Sequence, residues 1–138
     1  MVKTHYIEVK TKGNADILDI TSQVSGVVQR SGLKSGIVTI FCSSSTSALT
    51  TIEYESGCIS DLRRLFDEIL TPDRPYAHNA RWGDGNGHSH SRAALLGSSL
   101  SVPFSKASLM LGTWQQIILV DFDTHPRHRK VVAQVIGE

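Results

Sequence analysis

Hydrophobic and polar positions repeat at two different periods along this chain, and the switches between them mark its elements. In Tyr6–Thr11, Ile7 and Val9 alternate with Glu8 and Lys10, the two-residue period of a half-buried strand. From Thr21 to Ser31 the period lengthens: Ile20, Val24, Val27 and Val28 share one side of a helix, with Thr21 or Ser22 as N-cap and Gly32 as the stop. Gly36–Cys42 is almost continuously apolar and β-branched, which predicts a central strand covered on both faces. The Ser43–Ser47 run breaks it before Ala48–Glu53 resumes an extended pattern. Cys58, Ile59, Leu62, Leu65, Phe66, Ile69 and Leu70 then recur at helical spacing, with Asp61, Arg63, Arg64, Asp67 and Glu68 opposite them, until Thr71-Pro72 ends the second helix. Asp73–Gly87 is a loop by composition, followed by a short helix from Ser89 to Leu96 closed by Gly97.

The remainder is strand. Leu100–Phe104 carries Pro103 and belongs at a sheet edge. Trp114–Phe122 sets Trp114, Gln116, Ile118, Val120 and Phe122 against Gln115, Ile117, Leu119 and Asp121, and Lys130–Ile136 is rich in β-branched residues, with Asp123–Arg129 as the turn between them. The expected fold is a single α+β domain over residues 1–138, a mainly antiparallel sheet with two main helices and one short helix.

Composition narrows the function classes. With 14 basic against 13 acidic residues in 138, the chain has no field that would make nucleic acid its principal partner. Cys42 and Cys58 stand in apolar patterns without Cys-x-x-Cys spacing, so buried thiols in a reducing cytoplasm are expected. The first residues lack an apolar signal segment, and no stretch approaches the ~20 apolar residues that span a bilayer, so neither secretion nor a membrane is expected.

The candidate chemistry gathers in His78–His90, which packs three of the six histidines into a glycine-rich segment. No nucleophile elbow, phosphate-binding loop or dinucleotide fingerprint occurs in the chain. A calcium loop starting at Asp84 fails, because Ser89 stands where glycine is needed and Leu95 where a bidentate glutamate is needed. His78, His88 and His90 remain as donors for a transition metal with an open position, provided that His88 precedes the helix, since a two-residue step within a helix points to different sides. Asp84 would orient one imidazole or act as a ligand itself. The same residues are also consistent with a solvated turn whose histidines cap a helix. A second reading places a phosphate at the N-terminus of the Ser89 helix, with charge from Arg127 and Arg129. Glu53 or Glu55 is a candidate general base, and Trp114 with Gln115 a candidate wall for a flat ring.

Several separate segments, in order, carry a family resemblance: Ser45–Glu55 (Ser-Thr-Ser-Ala-Leu-Thr-Thr-Ile-Glu-Tyr-Glu), Asp84–His90, Leu95–Leu100, Leu111–Gln116 and the final Val135–Glu138. The chain resembles the YjbQ family, also labelled secondary thiamine-phosphate synthase, over its whole length and most densely after Gly36. The resemblance implies an α+β fold with a large antiparallel sheet, a homotrimer, and a pocket near subunit boundaries. It implies a divalent metal, zinc being favoured and magnesium the alternative, on His78, His88 and His90. Glu53 and Asp84 are the implied catalytic neighbours, and Thr46, Trp114, Gln115 and Arg127 the substrate-binding ones. The implied function is a metal-dependent enzyme acting on a small phosphorylated molecule, with weak formation of thiamine phosphate; the alternative is a non-catalytic trimeric module that holds a metal or an anion. Two positions depart from the pattern: many members have a histidine where this chain has Ser44, and some have an acid at His88.

Overall fold

The computed structural model describes all of residues 1–138. In chain order its elements are β1 (Val2–Thr11), β2 (Asp16–Asp19), α1 (Thr21–Ser31), β3 (Ser35–Cys42), β4 (Ser47–Ile52), α2 (Ser56–Ile69), α3 (Ala77–Trp82), α4 (Gly87–Leu96), β5 (Ser99–Ser105), β6 (Ser108–Leu109), β7 (Gln116–Asp121) and β8 (Arg127–Gly137). Two antiparallel sheets result, one in the order β1-β8-β3-β5-β6 and one in the order β2-β7-β4. The α+β class and the antiparallel pairing are as the sequence predicts. Three elements were not expected: β2, β6, and α3 inside the segment assigned to loop. None of the helices is long and apolar enough to cross a membrane.

The smaller sheet lies between two cores, and the alternation in β7 explains why. Ile117 and Leu119 face a cluster that also holds Val24, Val27 and Val28 of α1 and Val38, Ile40, Val131, Ala133 and Val135 of the larger sheet. Ile118 and Val120, continued by Phe122, face the other way, onto Phe66 of α2 and Ala93 of α4. The strand starts at Gln116 rather than Trp114. A turn closed by the Gln115 N–H on the Gly112 carbonyl holds the preceding residues out of the ladder, and Trp114 is 72% exposed.

The larger sheet departs from expectation on one face. Val38, Ile40 and Cys42 of β3 point into the core, but Ile37 and Phe41 are 41% and 43% exposed, so β3 is not covered on both sides. Register extends these residues into rows across the strands: Val2, Ile136, Ile37 and Pro103 in one, Tyr6, Val132 and Phe41 in another. The strand that carries Pro103, β5, is one in from the expected edge, with only the two residues of β6 outside it. The Pro103 carbonyl accepts from the Met110 N–H on the side away from β3 (2.9 Å), so the missing proline N–H costs the β3 ladder nothing.

A buried polar network fastens the two sheets together. Asp121 of β7, fully buried, accepts Arg129 Nε at 2.7 Å, Arg129 Nη2 at 3.0 Å and the Thr11 hydroxyl at 2.6 Å. Thr46, just before β4, accepts from Arg129 Nη2 at 2.7 Å and donates to Asp123 Oδ2 at 3.0 Å. Arg127 adds an ion pair to Asp123 at 3.3 Å. Burial works against the Arg129 charge, and the Asp121 carboxylate outweighs it, so the guanidinium holds its proton more tightly than usual. Burial alone would raise the Asp123 carboxyl, but donors from the His125 amide, Thr46, Arg127 and Asn86 outweigh it and hold its pKa at about 2.

Two measurements test this account. Leu119→Ala removes a fully buried side chain from the larger core and is expected to cost 2–5 kcal/mol in urea unfolding, within the range for such truncations; a loss below ~1 kcal/mol would place Leu119 outside a close-packed core. The Asp123 carboxyl is depressed in the fold, so its contribution of roughly 2 kcal/mol is complete above the unfolded pKa near 4 and fades as pH falls toward 2. The stability gap between wild type and Asp123→Asn should therefore be larger at pH 6 than at pH 3, and an equal gap at both would contradict the network.

Candidate functional site

Two short helices build the site. Tyr76 precedes α3 in an extended conformation, and Gly83 ends it at φ 67°. α4 then packs closely on α3: the Gly87 N–H donates to Asn79 Oδ1 at 2.8 Å, and a Cβ at Gly87 would fall 2.5 Å from the Tyr76 Cβ, so only glycine fits this approach. The docking sets His78 of α3 against His90 of α4, with ring centroids 4.5 Å apart and planes inclined by 41°. Asp84 Oδ1 lies 3.2 Å from His78 Nδ1, without the alignment of a full hydrogen bond, and also accepts the Asn86 N–H at 3.1 Å.

His88 does not join them. The helix begins at Gly87, before His88 rather than after it, so His88 and His90 stand about 200° apart around the axis and face opposite sides. His88 is buried near Tyr76, with ring centroids 6.2 Å apart, and burial followed by the Arg92 charge lowers its proton affinity. The phosphate expected at this helix N-terminus also finds few free donors. The Asn86 and Gly87 N–H groups are taken by Asp84 and Asn79, and those of Ser89 and His90 by the Asn86 carbonyl.

His90 looks into a cleft of about 430 Å³ whose walls include Ser44, Ser45, Ser47, Gly97 and Ser98. Ser44 and Ser47 also line an adjoining pocket of about 190 Å³, with Ser43, Arg129 and Lys130 on its walls. The Ser44 and Ser47 hydroxyls are bonded to each other. Sequence reasoning treated this serine run as a strand break and missed its hydroxyls as a wall; five consecutive hydroxyl residues between two strands that lead into the core were the available signal. Cys42 beneath it is no thiolate, since burial pushes its pKa up to about 11.

The other expected site residues lie elsewhere or are already engaged. Thr46 is buried within the Arg129–Asp123 network, and the Arg127 guanidinium is paired with Asp123, so neither is free for a substrate. Glu55 is the N-cap of α2, accepting the Gly57 and Cys58 N–H groups, rather than a base. Glu53, Trp114 and Gln115 sit at the far end of the smaller sheet. Ile52 pairs with Gln116 there while Ser47 pairs with Asp121 at the cleft end, a separation of roughly 17 Å at ~3.4 Å per residue.

The donor set for a metal is therefore two imidazoles, with Asp84 behind one of them. No three His, Cys, Asp or Glu side chains of the chain converge on a single point. Imidazole donors suit zinc or a similar ion better than magnesium, but a catalytic zinc ordinarily has three protein ligands, so one chain alone supplies an incomplete set.

Comparison with known proteins is consistent across sequence and structure. A protein of Methanothermobacter thermautotrophicus, described as a UPF0047 protein, is 40% identical over 99% of this chain and 94% of its own length. The UPF0047 protein YugU of Bacillus subtilis is 32% identical over 99% of this chain and all of its own. A crystal structure from Sulfolobus solfataricus, described as a YbjQ-like protein of unknown function, superimposes with a TM-score of 0.94 at 36% identity, covering 100% of this chain and 99% of that one. The model of the family described as UPF0047 protein YjbQ-like matches residues 5–138, and the chain belongs to that family.

Proposed function

We propose that this protein is an enzyme acting on a small phosphorylated molecule, with the His78–His90 pair as its reactive centre. The observation that carries the reading is the close approach of these two imidazoles beside a cleft walled by serine hydroxyls. Hydroxyls suit oxyanions, and Ser43, Ser44 and Ser47 supply them in the adjoining pocket, whose wall also includes Lys130. Lys130 has no carboxylate partner; it stands over the Tyr6 ring at 4.6 Å. His90 would exchange a proton with the substrate, and Asp84 would fix the orientation of His78. A divalent metal, zinc before magnesium, would be held by His78 and His90 and would supply Lewis-acid activation. Thiamine-phosphate formation would be a minor activity of the same cleft.

The homotrimer belongs to the same proposal. Val2, Tyr6, Ile37, Phe41 and Ile136 leave an apolar surface on the outer face of the larger sheet, which a second copy would cover. Assembly would also be the means of bringing Glu53 or Trp114 of one chain to the cleft of another.

One observation favours a non-catalytic metal- or anion-holding module instead: the candidate base Glu53 is remote from the cleft within the chain. Asp84→Asn separates the two readings. An enzyme of this kind should lose about 10–100-fold in turnover on phosphate-ester or pyrophosphate-releasing substrates, whereas a module would show no rate above background in either form.

Elemental analysis of untagged protein is expected to find a bound transition metal that is lost in His90→Ala; absence of metal from the wild type would remove the metal from the proposal. Light scattering should give three times the chain mass of 15.1 kDa, falling to the monomer in Ile37→Lys. A monomeric wild type would refute the assembly.

A further inference from the structure

The residue that the two-histidine site leaves out has surroundings of its own. His88 is 6% exposed, and its Nδ1 is closed to solvent with no well-formed hydrogen bond, the Gly85 backbone being within reach of the ring. A buried ring nitrogen in that condition is uncommon, because protein interiors pair their polar atoms with protein or water. His88 lines a cavity of about 130 Å³ together with Asn14, Ala15, Arg63, Asp67 and Arg92.

One of the two guanidiniums on this cavity has no ion-pair partner. Arg92, 4% exposed, donates Nε to the Leu70 carbonyl at 3.0 Å and Nη2 to Asp67 at 3.0 Å, and its guanidinium sits 5.8 Å and 6.0 Å from the Phe66 and Phe122 ring centres. It is fixed in place. Arg63 donates Nε to the Ala15 carbonyl at 3.1 Å and has no carboxylate within ion-pair distance. Asp67, paired with Arg92, is the one carboxylate on the cavity wall, and Asp73 acts on His88 from nearby. The cavity has room for one small oxyanion. A neutral imidazole with its proton on Nδ1 is a donor to such an anion, and guanidinium is the side chain best matched to phosphate or carboxylate oxygens.

We infer that the cavity between α2, α4 and the Gly13–Ala15 turn is a second ligand site, which takes one small oxyanion of the size of inorganic phosphate or acetate on Arg63, Arg92 and His88. It is separate from the cleft of the proposed function, because His88 and His90 lie on opposite sides of α4. It does not rest on that reading. A bound anion would pair the Arg63 guanidinium and accept from the His88 ring, and it would tie α2 to α4 and to the turn that enters β2.

Titration calorimetry with inorganic phosphate and, separately, with acetate at constant ionic strength tests the inference. Wild type should bind at least one of them saturably, one per chain. Binding should weaken at least tenfold in Arg63→Gln, a substitution at an exposed position, and in His88→Phe, and should be unchanged in His90→Ala. In protein labelled with ¹⁵N-histidine, the Nδ1 resonance of His88 should move on saturation in the wild type. The inference is overturned if neither anion binds saturably, or if Arg63→Gln binds as well as wild type. Binding abolished by His90→Ala but retained in Arg63→Gln would assign the anion to the serine-walled cleft, refuting this site while supporting the other.

Discussion

The buried pairing of Asp121 with Arg129 is the constraint on which the rest of this structure depends. Its two residues come from different sheets; Asp121 is fully buried and Arg129 is mostly so. Removing one partner of such a pair typically costs 3–5 kcal/mol, since the other charge is left buried alone. The network also reaches the segments that shape both cavities. Through Thr46 it fixes the end of the serine run, and through Asp123, whose carbonyl accepts the Asn14 N–H at 2.7 Å, it fixes the turn beside His88. The Ser89 hydroxyl, bonded to the Phe122 carbonyl at 2.6 Å, secures α4 to the same strand end. Core packing, sheet assembly and site geometry are therefore coupled through a few polar atoms.

Helix phase decides which histidines act together. His88 and His90 are two residues apart in sequence, and a start at Gly87 instead of Ser89 is enough to send them to opposite sides of α4. Nothing in composition fixes that start. At that start Gly87 closely approaches Tyr76, the residue that precedes α3, a helix the sequence pattern did not announce. The His78–His90 pairing depends on the same approach, so proximity in sequence named the right segment but not the right partners.

Legibility elsewhere followed a similar line. Local signals placed α1 and its stop at Gly32 (φ 75°), although its N-cap is Ile20 rather than Thr21 or Ser22, and they sufficed for α2 and for the β7 alternation that became two cores. They failed where a residue's role depends on what lies across from it. The apolar run of β3 promised cover on both faces, yet Ile37 and Phe41 face outward within the chain. β2 is four residues long and exists because β7 offers it an edge. Arg127 and Thr46 have chemistry suited to a substrate, but the nearest charges, Asp123 and Arg129, are internal.

The placement of Pro103 has a consequence for how copies of the chain can meet. Beyond β5 the larger sheet has only the two residues of β6, and the proline offers no N–H to a strand arriving on that side. Lateral growth into a continuous intermolecular ladder, the usual hazard of an open sheet edge, is therefore interrupted there. Contact through the broad face, where Ile37 and Phe41 lie, meets no such interruption.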